Sequence, residues 1–84
     1  MADETPRLTL LVRSYCHLCE EMIEALQDLP GAAGLAYELR DVDDHPALEA
    51  RFGERVPVLL AGDEELCHYR LDAEAVGAWL AKFR

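Results

Sequence analysis

Apolar positions along the chain follow two periods. Leu8 to Val12 is a short, nearly unbroken apolar run, as expected of a central strand covered on both faces. Beyond it, Cys19, Met22, Ile23 and Leu26 fall at i, i+3, i+4 and i+7, while Glu20, Glu21, Glu24 and Asp28 take the opposite side. That spacing predicts an amphipathic helix, ended by Pro30-Gly31. Leu35, Tyr37 and Leu39 then alternate with Ala36, Glu38 and Arg40, the period of a strand with one wetter side.

Asp43-Asp44-His45-Pro46 reads as a second helix start, with Asp44 or His45 as cap and Pro46 in the first turn. Leu48 and Phe52 share its inner face, and Gly53 closes it. Val56-Pro57-Val58-Leu59-Leu60 is a third strand, with proline near its start. Gly62-Asp63 is a turn signal leading back into a fourth strand, roughly Glu65 to Arg70. Asp72 caps a last helix whose apolar stripe is Val76, Trp79, Leu80 and Phe83.

The order is therefore β-α-β-α-β-β-α. The first β-α-β is expected to be a parallel pair with a right-handed crossover, and the last two strands an antiparallel hairpin. The expected class is α/β, one mixed four-stranded sheet flanked by helices, in a single domain over residues 1–84. A three-strand alternative leaves the stretch around Cys67 as loop.

Composition narrows the function. The chain has 84 residues, 51% of them hydrophobic, enough for one core and not for two. Its 17 acidic and 8 basic residues give a formal charge of −9, which repels phosphate backbones and anionic lipid headgroups. Nucleic acid and membrane are thus disfavoured as main partners. No apolar run approaches the roughly 20 residues of a membrane span. The acidic start, Met1-Ala2-Asp3-Glu4-Thr5-Pro6, lacks the pattern of a signal peptide, so the cytoplasm is the expected location; separately, a monomer is expected. Three cysteines are an odd count for a disulfide framework, and in a reducing compartment a pair three apart points to catalysis or metal binding.

Cys16-His17-Leu18-Cys19 is by itself equally half of a zinc site. Its position says more. Cys16 follows a strand and the loop Arg13-Ser14-Tyr15, so it stands where the helix begins, and Cys19 lies one turn in on the same side. Unpaired N–H groups and the positive end of the helix dipole stabilise a thiolate there, and the thiolate is the nucleophile. Cys16 would attack a substrate disulfide and Cys19 would resolve the mixed disulfide. Arg13 can add positive charge, Glu20 and Glu21 oppose it, and a cationic His17 between the cysteines could tune the thiolate. The reaction needs no metal or organic cofactor; its partners would be a disulfide-bearing substrate and another thiol system that reduces the enzyme.

Val56-Pro57 is the second element. Proline at the start of a core strand gives up a ladder donor. A cis bond would explain it and leave the Val56 backbone free to pair with an extended substrate; a trans proline at a strand's first residue fits as well.

With Leu8 to Val12, Arg13-Ser14-Tyr15-Cys16-His17-Leu18-Cys19 and Val56-Pro57 in that order, the chain resembles the glutaredoxin branch of the thioredoxin superfamily. The resemblance implies a thioredoxin fold, a cis Pro57 beside the active site and Cys16 as exposed nucleophile. It also implies that Arg13 contacts a carboxylate of glutathione and that Asp72 matches an acidic residue at the last helix. The chain departs from the family at Arg55, where threonine is usual before Val-Pro, and at Tyr69-Arg70, about where paired glycines stand. Bulk there opposes close approach of the tripeptide. Tyr15 stands where thioredoxin proper has tryptophan.

Other readings compete with the oxidoreductase. One is a non-catalytic thioredoxin-fold redox sensor or adaptor. Another is a small zinc domain using Cys16, Cys19 and Cys67-His68, which strand alternation opposes because neighbours point to opposite faces. Cys67 reads as a small buried hydrophobe. Arg51 and Arg55 could gather near Pro57 to receive an acidic partner, or be solvated surface charge.

Overall fold

In the computed structural model, residues 8–29 and 37–82 are described. The chain runs β1 (Leu8–Val12), α1 (His17–Asp28), β2 (Tyr37–Asp41), a 3-10 turn (Val42–Asp44), α2 (Pro46–Phe52), β3 (Val58–Ala61), β4 (Glu64–His68) and α3 (Ala73–Ala81). The four strands form one mixed sheet in the order β2-β1-β3-β4. β1 is parallel to β2 and antiparallel to β3, and β3 and β4 are an antiparallel hairpin. The stretch around Cys67 is strand, so the three-strand alternative falls.

The β1 run is almost wholly apolar because the two central strands are covered on both sides. Leu8 and Leu10 of β1, with Leu59 and Ala61 of β3, pack on one face against Met22 and Leu26 of α1 and Val76 and Trp79 of α3. On the other face Leu11 and Val58 meet Val42 and Phe52. The stripe of α1 is thus a docking surface, and its buried members Cys19, Met22 and Leu26 fix where the helix tip lies. Gly62, at φ +61°, makes the turn of the β3–β4 hairpin, a conformation that costs other residues more.

Three features differ from expectation, and of the two caps offered for α2 it is His45 that serves. β3 begins at Val58, after the proline rather than through it, because Pro57 offers no ladder donor. β4 ends at His68 instead of Arg70, since Tyr69 turns into positive φ. His45 caps α2 without a side-chain hydrogen bond, while Asp43 and Asp44 belong to the preceding 3-10 turn capped by Asp41. Within β2, Leu39 is 51% exposed although the alternation put it on the drier side; β2 is an edge strand. Leu35, Ala36, Pro30-Gly31 and Phe83 lie outside the described residues.

Candidate active site

Strand direction gathers the candidate residues at one end of the sheet. β1 and β2 run parallel and end there, delivering Arg13 to Cys16 and the turn after Asp41. Val58 at the start of β3 lies opposite Leu11 and His68, so Val56-Pro57 and the segment from Tyr69 to Asp72 come to the same end. In sheets with parallel strands this carboxyl end is where ligands bind.

Cys16 is the N-cap of α1, extended at φ −106°, and its Sγ accepts the Cys19 N–H at 3.2 Å. Its carbonyl accepts the first helical N–H, from Glu20. The two cysteines are joined in a disulfide, with Cα atoms 5.2 Å apart. Cys16 is partly open to solvent, whereas Cys19 is 3% exposed. The two sulfurs thus differ in access to solvent. His17, largely exposed, faces Glu21 one turn on, Nε2 to Oε2 3.3 Å.

Tyr15, just before Cys16, is fully exposed and left-handed at φ +59°. For a bulky residue that conformation costs about 1–3 kcal/mol and persists only where its surroundings hold it. Its neighbours in the loop are both anchored. Ser14 Oγ donates to Asp41 Oδ2 at 3.3 Å, and Asp41 Oδ1 accepts the Asp43 N–H at 2.9 Å. Arg13 donates from Nε to Asp43 at 3.2 Å, from Nη2 to Glu49 at 3.0 Å, and from Nη1 to the Gly53 carbonyl at 3.3 Å. Glu49 and then Asp43 hold the guanidinium charged more firmly than usual. Gly53 leaves the space this needs, since a Cβ there would lie 2.7 Å from Glu49 Oε2.

The Val56-Pro57 bond is cis, and Pro57 is buried. Among the described residues, the Val56 backbone has no backbone hydrogen-bond partner. Pro57 itself offers its carbonyl to the Tyr69 N–H at 2.9 Å. Tyr69 is left-handed at φ +64°, so it keeps a glycine-like backbone while carrying a ring whose hydroxyl reaches the Glu54 carbonyl at 3.1 Å. Arg70 faces Glu21 at 3.7 Å across an open groove. Asp72 Oδ1 accepts the Ala75 N–H at 3.1 Å, which makes it the N-cap of α3.

Arg55 pairs with Glu65 at 2.9 Å, and both Arg51 and Arg55 lie over the Phe52 ring. Glu65 also meets His68 at 2.7 Å. Cys67 is buried while His68 is exposed, and among the described residues no three His, Cys, Asp or Glu side chains come together to hold a metal. Burial pushes the Cys67 thiol up, with the Asp72 backbone N–H pulling against it.

Sequence reasoning missed the partners of the cysteine loop: Asp41, Asp43, Glu49 and the Gly53 carbonyl. They lie 27 to 40 residues from the loop in sequence. The only local hint was a glycine four residues after Glu49.

A four-stranded mixed sheet, three helices and a Cys-x-x-Cys at the tip of the first helix define a thioredoxin-like fold with a close cysteine pair. The model of the family described as Glutaredoxin-like domain (DUF836) matches residues 7–81, and the chain belongs to that family. It is 32% identical over 82 residues to the uncharacterized protein Rv0508 of Mycobacterium tuberculosis, covering 92% of this chain and 84% of that one. The solution structure of protein Ne2328 from Nitrosomonas europaea is 40% identical, with a TM-score of 0.78 over 94% of this chain and 95% of that chain. The X-ray structure of XcR50 from X. campestris, also 40% identical, superposes with a TM-score of 0.71 over 89% and 96% of the two chains.

Proposed function

We propose that this protein is a thiol-disulfide oxidoreductase in which Cys16 is the nucleophile and Cys19 the resolving thiol. The observation that carries this is the unequal pair at the tip of α1: one sulfur partly open and aimed at by a helix N–H, the other buried within bonding reach. Cys16 as thiolate attacks one sulfur of a substrate disulfide. The substrate S–S bond breaks, a Cys16–substrate disulfide forms, and the first substrate thiolate leaves and takes a proton. Cys19, deprotonated, then attacks Cys16 Sγ and expels the second substrate thiol. Two electrons have passed to the substrate, and the Cys16–Cys19 disulfide is left for an external thiol to reduce.

The Val56 backbone supports the substrate's approach, because among the described residues its N–H and C=O have no backbone hydrogen-bond partner and suit an extended chain lying alongside the cysteines. Tyr15 and His17, exposed on either side of Cys16, are the side chains such a chain would meet first. The substrates in this reading are protein disulfides or glutathione mixed disulfides, in a reducing compartment such as the cytoplasm; among the described residues no helix is long and apolar enough to cross a membrane.

Two measurements test the reading. Cys19→Ser traps the intermediate, so a reduced variant mixed with a disulfide substrate gains the mass of one substrate half on Cys16. Alkylation mass mapping across a graded redox buffer should show Cys16 and Cys19 disappearing together while Cys67 stays a thiol. Turnover that survives Cys16→Ser sinks the assignment. A pair that oxidises but reduces no disulfide catalytically favours the sensor reading.

A further inference from the structure

Arg13 lies three residues before the nucleophile, yet its guanidinium is already engaged. Of its five N–H donors, those on Nε and Nη2 go to the carboxylates of Asp43 and Glu49, and Nη1 goes to the Gly53 carbonyl. The two ion pairs measure 3.1 and 3.0 Å, and the arginine side chain is only 33% exposed. An arriving substrate carboxylate would meet two carboxylates already at the same cation, which together offset its charge. The next residue is tied too, through Ser14 Oγ to Asp41. After these two anchors the chain bends into the left-handed Tyr15 and enters α1 at Cys16.

We propose that Arg13 is a positioning residue: it clips the cysteine loop to the Asp43–Gly53 segment, holds Tyr15 in its left-handed conformation, and does not receive the substrate's carboxylate. The proposal rests on the oxidoreductase reading for its turnover measurements and on geometry alone for the rest. The clip joins the loop after β1 to the turn after β2 and to α2, so the site's rigidity is set by residues that never touch the sulfurs. A left-handed tyrosine needs surroundings that over-determine it, and anchors on the two preceding residues supply that.

The test compares wild type with Arg13→Gln, Arg13→Lys, Tyr15→Asn and the Arg13→Gln/Tyr15→Asn double variant. Two readouts are used: iodoacetamide alkylation of Cys16 in the reduced protein across pH, and exchange with two disulfides of opposite charge, glutathione disulfide and cystamine. Arg13→Gln should slow Cys16 alkylation at neutral pH, shift its pH profile to higher pH, and lower the maximal rate with both disulfides by one common factor, about tenfold. KM for each disulfide should stay within about twofold of wild type, since orientation and not binding is lost. Arg13→Lys should restore part of both rates, because a single ammonium cannot reach all three acceptors.

Asparagine tolerates the left-handed region. The loss caused by Arg13→Gln should therefore shrink to about threefold or less in the Tyr15→Asn background. A rise in KM for glutathione disulfide with cystamine unchanged overturns the proposal and makes Arg13 a substrate contact. An Arg13→Gln protein with wild-type alkylation and rates overturns it as well. If Arg13→Gln does not fold by circular dichroism, Glu49→Gln replaces it, cutting one anchor and leaving Asp43; a smaller equal loss with both disulfides is then expected. Failure of the wild type to exchange with any disulfide counts against the oxidoreductase reading, while the alkylation profile still decides the role of Arg13.

Discussion

Leu59 sits at the centre of β3, opposite Leu10 on one neighbour and Cys67 on the other, and none of it reaches solvent. Truncating it to alanine removes buried methyl and methine carbons worth about 2–2.5 kcal/mol in transfer, at about 0.8 kcal/mol per carbon. The cavity left between α1 and α3 adds to this, and buried Leu→Ala changes cost about 2.7–5 kcal/mol in all. A chain of 84 residues has about 4–13 kcal/mol of stability to lose, at about 0.05–0.15 kcal/mol per residue. Leu59→Ala should therefore remove a large share of it. With a urea slope of about 1–1.5 kcal/mol/M for so small a chain, the midpoint falls by about 2–5 M. The control is Leu39→Ala on the edge strand, a residue 51% exposed. Its cost should stay below about 1 kcal/mol. Both variants are read by urea unfolding followed by circular dichroism. Equal shifts for the two, or a loss below about 1 kcal/mol at Leu59, would refute the placement of the core. The site depends on this packing directly, because β3 begins one residue after Pro57.

Two further outcomes are expected. Asp72→Ala removes the cap bond to the Ala75 N–H and should cost about 1 kcal/mol in urea unfolding, with Asp72→Asn or Asp72→Ser recovering most of it. Cys67 has a thiol raised above its ordinary value of 9.0 by burial, so the unfolded chain ionises first as pH rises. The contribution of a buried neutral thiol is then complete below that ordinary value and is lost as pH rises toward the folded one. The stability advantage of wild type over Cys67→Ala should shrink as pH rises above 9.0, and parallel stability profiles would contradict the assignment.

Much of this molecule is legible in one dimension. The run at Leu8 to Val12, the stripe from Cys19 to Leu26 and the turn at Gly62-Asp63 each depend on residues close in sequence, so local period and turn chemistry suffice to give the element order. The helix between the first two strands then points to a parallel pair without coordinates. The capping positions of Cys16 and Asp72 are local for the same reason: a cap bonds to an N–H three residues on.

What the residue pattern leaves open is decided by contacts between distant segments. Leu39 looks like its alternating neighbours until the strand order puts β2 at the sheet edge. Val56-Pro57 fits cis or trans by pattern, and the bond is cis beside the left-handed Tyr69. Arg13 is the sharpest case. Its charge and its place before Cys16 read as an open cation, but Asp43, Glu49 and Gly53 are 30 to 40 residues away and become its acceptors only when β2 and α2 are brought against β1. Chemistry that depends on one helix turn was written in the neighbouring residues. The choice of which charge meets which belonged to the sheet, since strand order and register alone bring those segments within hydrogen-bonding distance.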